Sequence, residues 1–389
     1  MGTPAPESEV DLWSDESLHD PWPGYRAIRD AAPVVQLSRH GLYAIGRYAD
    51  VKRALRDWET FTSAQGVSFN DFANRASPGT APSSDPPEHT QIRGAMLQRL
   101  KLSEIRGLQD RLQAKADRLV AELLERRSFD AVPDVAQRFV VESVGELVGI
   151  SGEVLERFGR GGHDIFNIIG PDNEHLQTSL PGAVELLQLT HSLTKADMVP
   201  GGMGWDLFEA EERGLVPPNS SGNLIFNYLG PGFDTTIGGL GSTIWRLATH
   251  QEQWERLRKD PALAPAAFNE GLRLESPINL WSRVCRNGAD VDGVEIPAGA
   301  RVAILLGAAN RDERHYDDPD TFDIDRNPQD HLAFGSGIHL CVGAPLARAQ
   351  GTALLTALAR QATVLECGEP VRRLNNITRA LGSLPTELR

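Results

Sequence analysis

The sequence predicts a mainly α-helical protein with small β-sheets. Apolar residues recur at helical spacing from residue 89 to about residue 169, a pattern typical of amphipathic helices that share a core. Between residues 283 and 306 the pattern changes to short strand-like runs separated by turns. No internal repeat or low-complexity linker interrupts the 389 residues. We therefore expect one domain over residues 21–389, preceded by a loose lead-in at residues 1–20.

The other elements are predicted from local pattern. Residues 21–30 favour a short helix, and the apolar runs at 34–37 and 42–46 favour a β-hairpin because four residues ending in Gly41 join them. The segment 63–87 is rich in Ser, Pro, Gly and Asn, and such a long loop is usually functional. Further helical patterns lie at residues 50–57, 182–196, 223–259, 264–273 and 344–360.

Composition excludes several classes of protein. Lys+Arg is 39 and Asp+Glu is 53, so the net charge of −14 argues against a general nucleic-acid binder. Cys285, Cys341 and Cys367 are far apart, which argues against a disulfide scaffold or a structural zinc site. The N-terminus lacks the apolar segment of a signal peptide, and no run approaches the about 18 apolar residues of a membrane helix. We expect a cytoplasmic protein that binds neither nucleic acid nor membrane.

The strongest chemical signal is the segment 334–343, F-G-S-G-I-H-L-C-V-G. Gly335 and Gly337 permit a tight loop, and Cys341 lies just before the predicted helix 344–360. A helix N-terminus favours negative charge and lowers the pKa of a thiol. A cysteine thiolate is a known axial ligand of haem iron, although a lone cysteine on a Gly-rich turn is more often a packing residue.

The pattern F-G-x-G-x-H-x-C-x-G resembles the haem-binding loop of cytochrome P450 enzymes, and the similarity extends over nearly the whole chain. The resemblance implies the cytochrome P450 fold and a haem b cofactor, with Cys341 as the metal ligand and Phe334 and Gly335 beside the haem. It also implies that basic side chains pair with the haem propionates, namely His89, Arg93, Arg283 and His339.

Glu270 and Arg273 match the E-x-x-R motif of the family and are predicted to be structural. Residues at i and i+3 share one face of a helix, so this pair can form an ion pair. In many relatives a basic residue from a later loop completes the pair, but Thr321 occupies that position here.

Asp234 and Thr235 match the acid–alcohol pair of the family's central helix, which by resemblance relays protons during dioxygen activation. The alternative is that Thr235 simply bonds back to a helix carbonyl, which is the common role of a mid-helix threonine. Pro231 departs from the family's small residue. It has no N–H and clashes with the carbonyl of Asn227, so we expect a kink in this helix.

Within the family, the chain most resembles bacterial enzymes that O-demethylate para-methoxybenzoate and related lignin-derived aryl ethers. Carried over by position, the substrate pocket comprises Phe166, Ile169, Phe226, Gly230, Pro231, Thr235, Ile278, Trp281 and Leu381. Its apolar and aromatic character suits a flat aromatic ring.

The charge of the predicted pocket favours a neutral substrate. Benzoate-type relatives hold a basic residue and a serine near the substrate carboxylate, where this chain has Phe226 and Asn227. A buried carboxylate without a cation is costly, and Arg75 in the long loop is the one alternative source of charge. A methoxyphenol such as a 4-alkylguaiacol is therefore the better fit.

The resemblance implies a haem-thiolate monooxygenase that takes electrons from a separate ferredoxin-type donor with its reductase. We expect the donor to dock on the surface near Cys341, because Arg273 and Arg348 lie close in sequence to the haem-binding motifs. Three alternatives remain: an O-demethylase of para-methoxybenzoate-type acids, a hydroxylase of another small hydrophobic molecule such as a fatty acid or terpene, and a haem sensor without turnover.

Overall fold

The computed structural model describes residues 2–77, 79–97, 100–150 and 152–389. It is mainly helical with small sheets, as the sequence predicts. The helices are α1 (Asp15–His19), α2 (Trp22–Ala31), α3 (Tyr48–Arg56), α4 (Asp71–Ala76), α5 (Glu88–Met96), α6 (Leu102–Arg106), α7 (Gln109–Arg126), α8 (Arg138–Val148), α9 (Glu153–Asn167), α10 (Glu174–His191), α11 (Met203–Glu212), α12 (Ser221–Thr249), α13 (Gln251–Lys259), α14 (Ala264–Leu274), α15 (Leu306–Ala309) and α16 (Ala344–Gln361).

The strands form small sheets beside the helical body. They are β1 (Thr3–Pro4), β2 (Glu7–Ser8), β3 (Val35–Leu37), β4 (Leu42–Ile45), β5 (Phe61–Thr62), β6 (Ser128–Asp130), β7 (Trp281–Cys285), β8 (Ala289–Val291), β9 (Val294–Ile296), β10 (Arg301–Ile304), β11 (Leu365–Cys367), β12 (Val371–Arg373), β13 (Ala380–Ser383) and β14 (Pro385–Leu388). The largest sheet has the order β2-β3-β4-β10-β7-β5. The predicted hairpin is confirmed as the antiparallel pair β3–β4.

The N-terminal segment is not the loose lead-in that the sequence suggested. β1 pairs in parallel with β9, and β2 pairs in parallel with β3. Leu12 and Trp13 are buried, and the indole N–H of Trp13 donates to the carbonyl of Asn376 at 2.9 Å. Strands of two residues are too short to show a periodic pattern in the sequence. They are held in place by their distant partners, β9 and β3.

The central helix α12 organises the core. It is apolar and Gly-rich, and it packs against α8, α9, α10 and α14. Its approach to α14 is close: a Cβ added to Gly271 would lie 2.1 Å from the Thr243 hydroxyl oxygen. Helix α14 in turn packs against α16.

The long loop 63–87 is partly ordered by its own short helix. Asn70 caps α4, and its side-chain amide donates to the carbonyls of Ile168 and Gly170, after α9. Phe69 packs against the core, but Phe72 is 49% exposed.

Among the described residues no helix is long and apolar enough to cross a membrane.

Candidate active site

A cavity of about 290 Å³ lies between α12 and the loop that precedes α16. One wall carries Pro231, Gly232 and Thr235 of α12, and the opposite wall carries Gly335 and Cys341. Most of the remaining lining is apolar, with a minority of polar and basic side chains. Residues that are 106 positions apart in sequence therefore face one another across a single cavity.

The cysteine loop is shaped by its glycines. Gly335 and Gly337 have φ values of 71° and 72°, which glycine adopts without strain. A Cβ added to Gly337 would lie 2.6 Å from the carbonyl oxygen of Leu55, so a larger residue would displace α3. The N–H of Cys341 donates to the Phe334 carbonyl at 2.9 Å, and this bond closes the loop.

Opposing effects act on the thiol of Cys341. Burial raises its pKa, whereas the backbone N–H groups of Gly343 and Ala344 and the charges of Arg93 and Arg348 lower it. Burial is the largest effect and the net pKa is raised. The predicted lowering by the helix start is present, but burial outweighs it. Coordination to a metal removes the proton outright, and Cys341 keeps exposed surface on the cavity from which it can coordinate one.

Four basic side chains predicted to bind propionates converge at this end of the cavity. Arg93, Arg283 and His339 line it, and the ring of His89 lies 4.5 Å from that of His339. His89 is 2% exposed, and neither of its ring nitrogens has a hydrogen-bond partner among the described residues. Burial lowers the pKa of Arg283 to about 10, and the nearby carboxylate of Asp85 opposes that effect.

This donor set fits an anionic cofactor. Buried cations and unpartnered imidazole nitrogens are costly unless an anion or an acceptor meets them, and the carboxylates of haem supply both. Sequence analysis missed two residues that hold the cluster in place. Asp85 accepts hydrogen bonds from Thr62 and Arg286, and the Ser63 hydroxyl lies 3.1 Å from Nε2 of His339.

The two members of the acid–alcohol pair face different surroundings. Thr235 lines the cavity, and its hydroxyl donates to the Pro231 carbonyl at 2.6 Å, as the packing alternative predicted. The Asp234 carboxylate is buried away from the cavity, 3.4 Å from the Arg373 guanidinium and 3.2 Å from the Thr378 hydroxyl. Burial raises the pKa of Asp234, and the charge of Arg373 opposes this. Because Arg373 is 27% exposed, it connects the buried acid to the surface.

The predicted pocket residues separate into two groups. Phe166, Pro231, Ile278 and Trp281 line the cavity together with Thr235. Four others do not line it: Ile169, Phe226, Gly230 and Leu381. Three of these four have clear alternative neighbours.

Phe226 packs against the ring of Phe158 at 5.9 Å, and Leu381 is buried in the core. A Cβ on Gly230 would lie 2.6 Å from Cδ1 of Ile165, so this glycine faces α9. Successive residues of a helix point about 100° apart, and the register of α12 turns Asn227 rather than Phe226 toward the cavity.

The alternative source of charge at Arg75 is excluded, and the assignment of Arg273 to the docking surface is wrong. Arg75 is 76% exposed and lies 4.0 Å from Asp71 on α4, so it does not bring charge into the cavity. Arg273 is fully buried and is not available for docking a redox partner. Arg348 is partly buried, and its guanidinium lies 4.6 Å from the Phe334 ring.

Glu270 and Arg273 form the expected structural pair. Both side chains are fully buried and are joined by two hydrogen bonds of 2.7 Å. The third member is Arg326, whose Nε lies 3.2 Å from Glu270, while Thr321 contributes only its backbone carbonyl to Arg273. No local pattern marks Arg326, because the contact spans 56 residues.

Comparisons with known proteins agree with this geometry. Residues 222–384 match the family model described as Cytochrome P450. Over 394 aligned residues the chain is 35% identical to Cytochrome p450 CYP199A2 of Rhodopseudomonas palustris, and the match covers 100% of this chain and 95% of that protein. It is 32% identical to the beta-dihydromenaquinone-9 omega-hydroxylase of Mycobacterium tuberculosis, over 93% of this chain and 75% of the relative.

Solved structures show the same fold. The structure of cytochrome P450 CREJ in complex with (4-ethylphenyl) dihydrogen phosphate superposes with a TM-score of 0.86 at 27% identity, covering 96% of this chain and 98% of that one. CalO2 gives the same TM-score at 24% identity, covering 98% of each chain. The chain belongs to the cytochrome P450 family. It is therefore a monooxygenase that uses haem b with a cysteine thiolate ligand, dioxygen and a separate source of electrons.

Proposed function

We propose that this enzyme O-demethylates a small neutral methoxyphenol such as a 4-alkylguaiacol. Haem supplies the reductive activation of dioxygen by which one oxygen atom is inserted into a C–H bond. Insertion into a methoxyl C–H gives a hemiacetal, which collapses to a phenol and formaldehyde. The other oxygen atom leaves as water, formed with two electrons and two protons from outside.

The residues of the cavity have distinct roles in this proposal. Cys341 is the iron ligand. His89, Arg93, Arg283 and His339 hold the propionates. The ring nitrogens of His89 have no hydrogen-bond partner among the described residues, and the burial of Arg283 outweighs the opposing charge of Asp85.

Thr235 and Asp234 deliver protons to the reacting oxygen in this proposal. The single proton of the Thr235 hydroxyl is held by the Pro231 carbonyl at the cavity wall, so the hydroxyl donates toward the reacting oxygen only after it rotates away from that carbonyl. Asp234 takes up protons from water on the surface side, beside the partly exposed Arg373, which keeps its own protons.

The observation that carries the neutral-substrate proposal is the charge of the cavity wall. Among the described lining residues, the arginines are Arg93 and Arg283, and both belong to the propionate cluster. The wall formed by α12 presents Asn227, Tyr228 and Pro231 instead of a cation. A substrate carboxylate bound there would lose its hydration without gaining a positive partner.

Electrons come from a ferredoxin-type donor with its reductase in this proposal. The donor docks at the exposed surface around Leu340 in this proposal, because Leu340 is next to Cys341 in the chain and is 46% exposed. Arg348 lies at this surface, whereas Arg273 does not.

The test compares dissociation constants for 4-propylguaiacol and 4-methoxybenzoate, read from the spin-state shift of the holoenzyme. A poorly paired carboxylate costs on the order of 2–4 kcal/mol, so the benzoate is expected to bind about 30- to 1,000-fold more weakly. Formaldehyde is measured in a reconstituted turnover assay. Tighter binding of the benzoate, or substrate oxidation without formaldehyde, would contradict the proposal.

A further inference from the structure

Distant segments of the chain meet behind one wall of the cavity. Phe166 and Ile278 line the cavity and belong to one apolar cluster that also contains Trp13 and Phe69. The rings of Trp13 and Phe69 lie 4.8 Å apart, and neither is among the described residues that line the cavity. The cluster therefore forms a second layer outside this wall.

Asn376 holds the first side of the wall, which is the end of α9. Its backbone N–H donates to Oδ1 of Asn167 at 2.8 Å, and its Nδ2 donates to the backbone carbonyl of Asn167 at 3.0 Å. A reciprocal pair of hydrogen bonds, at 2.8 and 3.0 Å, joins the side-chain amides of Asn376 and Asn173. Because Asn167 directly follows Phe166, these bonds fix the backbone that carries the Phe166 ring.

The residues that follow Asn376 hold the other side of the wall. The N–H of Asn279 donates to the Ile377 carbonyl at 3.0 Å, and Thr378 forms an isolated β-bridge with Ile278. The segment 376–378 therefore connects the backbones that carry the two cavity-lining side chains.

Asn376 has little freedom to move. It is 1% exposed, and a Cβ added to Gly170 would lie 2.3 Å from its own Cβ. Its carbonyl accepts the indole N–H of Trp13 at 2.9 Å, so all four of its polar atoms are paired. It is nevertheless not among the described residues that line the cavity. A buried and fully paired polar network of this kind specifies one arrangement of the segments it joins.

We propose that Asn376 is a positioning residue that sets the spacing between Phe166 and Ile278 and thereby restricts the cavity to flat rings. It acts through the backbone and does not touch the substrate. The inference goes beyond the proposed function, because it concerns the shape of the cavity and holds for any flat aromatic substrate. Without the side-chain amide, the end of α9 is free to move outward and the cavity admits a thicker ring.

The test uses three ligands that bind haem iron through an imidazole nitrogen and contain no methoxyl group. They are imidazole, 4-phenylimidazole, whose substituent is flat, and 4-cyclohexylimidazole, whose substituent is thicker. Dissociation constants are read from the Soret shift of the holoenzyme. The cyclohexyl ring overpacks the wild-type cavity, so 4-cyclohexylimidazole is expected to bind about 5- to 150-fold more weakly than 4-phenylimidazole.

Two variants break the same contact from its two sides. Asn376→Ala is expected to reduce the preference for the flat ligand to about threefold or less, while the dissociation constant of imidazole stays within about twofold. Asn167→Ala removes one of the two hydrogen bonds between these residues and is expected to give an intermediate preference. The double variant should match Asn376→Ala, because changes that remove one shared contact are not additive.

Gln113→Ala is the matched control for a general loss of stability. The side-chain amide of Gln113 donates to Asp117 at 3.0 Å and to the Ala353 carbonyl at 3.3 Å, and Gln113 is not among the described residues that line the cavity. This variant should keep the full preference. The reduced carbon monoxide complex of every variant should keep the wild-type Soret position, which shows that the cysteine loop is intact.

The outcomes separate this inference from the proposed function. A wild type without a preference for the flat ligand, or a haem-loaded Asn376→Ala variant with the full preference, would overturn the inference. So would an equal loss of preference in Gln113→Ala. If Asn376→Ala does not fold, Asn167→Ala decides, and an unchanged preference there would overturn the inference. Weak binding of 4-propylguaiacol would overturn the proposed function and leave this inference standing.

Discussion

Glu275 is the common partner of four arginines, and its removal is expected to destabilise the fold strongly. It follows α14 and is fully buried. Arg372 and Arg379 lie 3.1 Å from it, Arg311 lies 3.4 Å from it, and Arg246 forms two further hydrogen bonds with it. Arg311, Arg372 and Arg379 are at most 9% exposed. The single carboxylate therefore joins α12, β12 and the loops before β13 and after α15.

Glu275→Gln preserves shape and removes the charge. Breaking a buried ion pair by changing one partner costs about 3–5 kcal/mol, because the remaining charge stays buried without compensation. With an unfolding entropy of about 2.1 cal/mol/K per residue, this loss lowers the melting temperature of a 389-residue chain by about 4–6 °C. Scanning calorimetry of the haem-loaded protein measures the change.

Glu366→Gln is the control. Glu366 pairs with Arg389 at 3.1 Å, but the two side chains are 57% and 55% exposed. Exposed pairs contribute about 0–1 kcal/mol, so this variant is expected to melt within about 1 °C of the wild type. Equally small decreases in the melting temperatures of Glu275→Gln and Glu366→Gln would refute the reasoning.

The pH dependence provides an independent check. Burial alone would raise the pKa of Glu275, but Arg379 and the other three arginines hold it well below its ordinary range. A depressed carboxyl pKa stabilises the fold above the unfolded value of about 4.3, and that stability is lost as the pH falls toward the folded value. The difference in free energy of unfolding between wild type and Glu275→Gln should be constant from about pH 7 to pH 5.5 and should become smaller below about pH 4.3. A difference that widens in acid would contradict the assignment.

Three further outcomes follow from the site. Cys341→Ala should abolish the red-shifted Soret band of the reduced carbon monoxide complex, whereas Cys285→Ala should retain it; the opposite result would make Cys341 the wrong ligand. Thr235→Ala should keep the substrate-induced spectral shift but lower product per NADH and raise hydrogen peroxide, and unchanged coupling would exclude the proton role. Arg326→Gln leaves Glu270 with one cation, so the free energy of unfolding should fall by about 1–3 kcal/mol; a melting temperature equal to that of the wild type would show that this third contact contributes nothing.

Local sequence determines those features whose spacing and chemistry lie within one segment. The loop 334–343 predicts its own turn because glycine is needed at two left-handed positions, and the structure has both. Glu270 and Arg273 predict their ion pair because i and i+3 share a helix face. The apolar periodicity predicts the helical fold for the same reason. The neutral wall of the cavity also follows from residue identity, since no basic residue occupies the relevant turn of α12.

Only the tertiary structure decided which side chains meet across long separations. Arg326 completes the Glu270 pair and Arg373 meets Asp234, although neither lies in a recognisable motif. The structure also turned Asn227 toward the cavity and Phe226 into the core, where position alone had suggested Phe226 as a pocket residue. The physical reason is that periodicity defines the faces of a helix, but the face that borders a cavity depends on how neighbouring helices pack. Burial of a charge likewise depends on partners from distant segments, and these come together only in the folded chain.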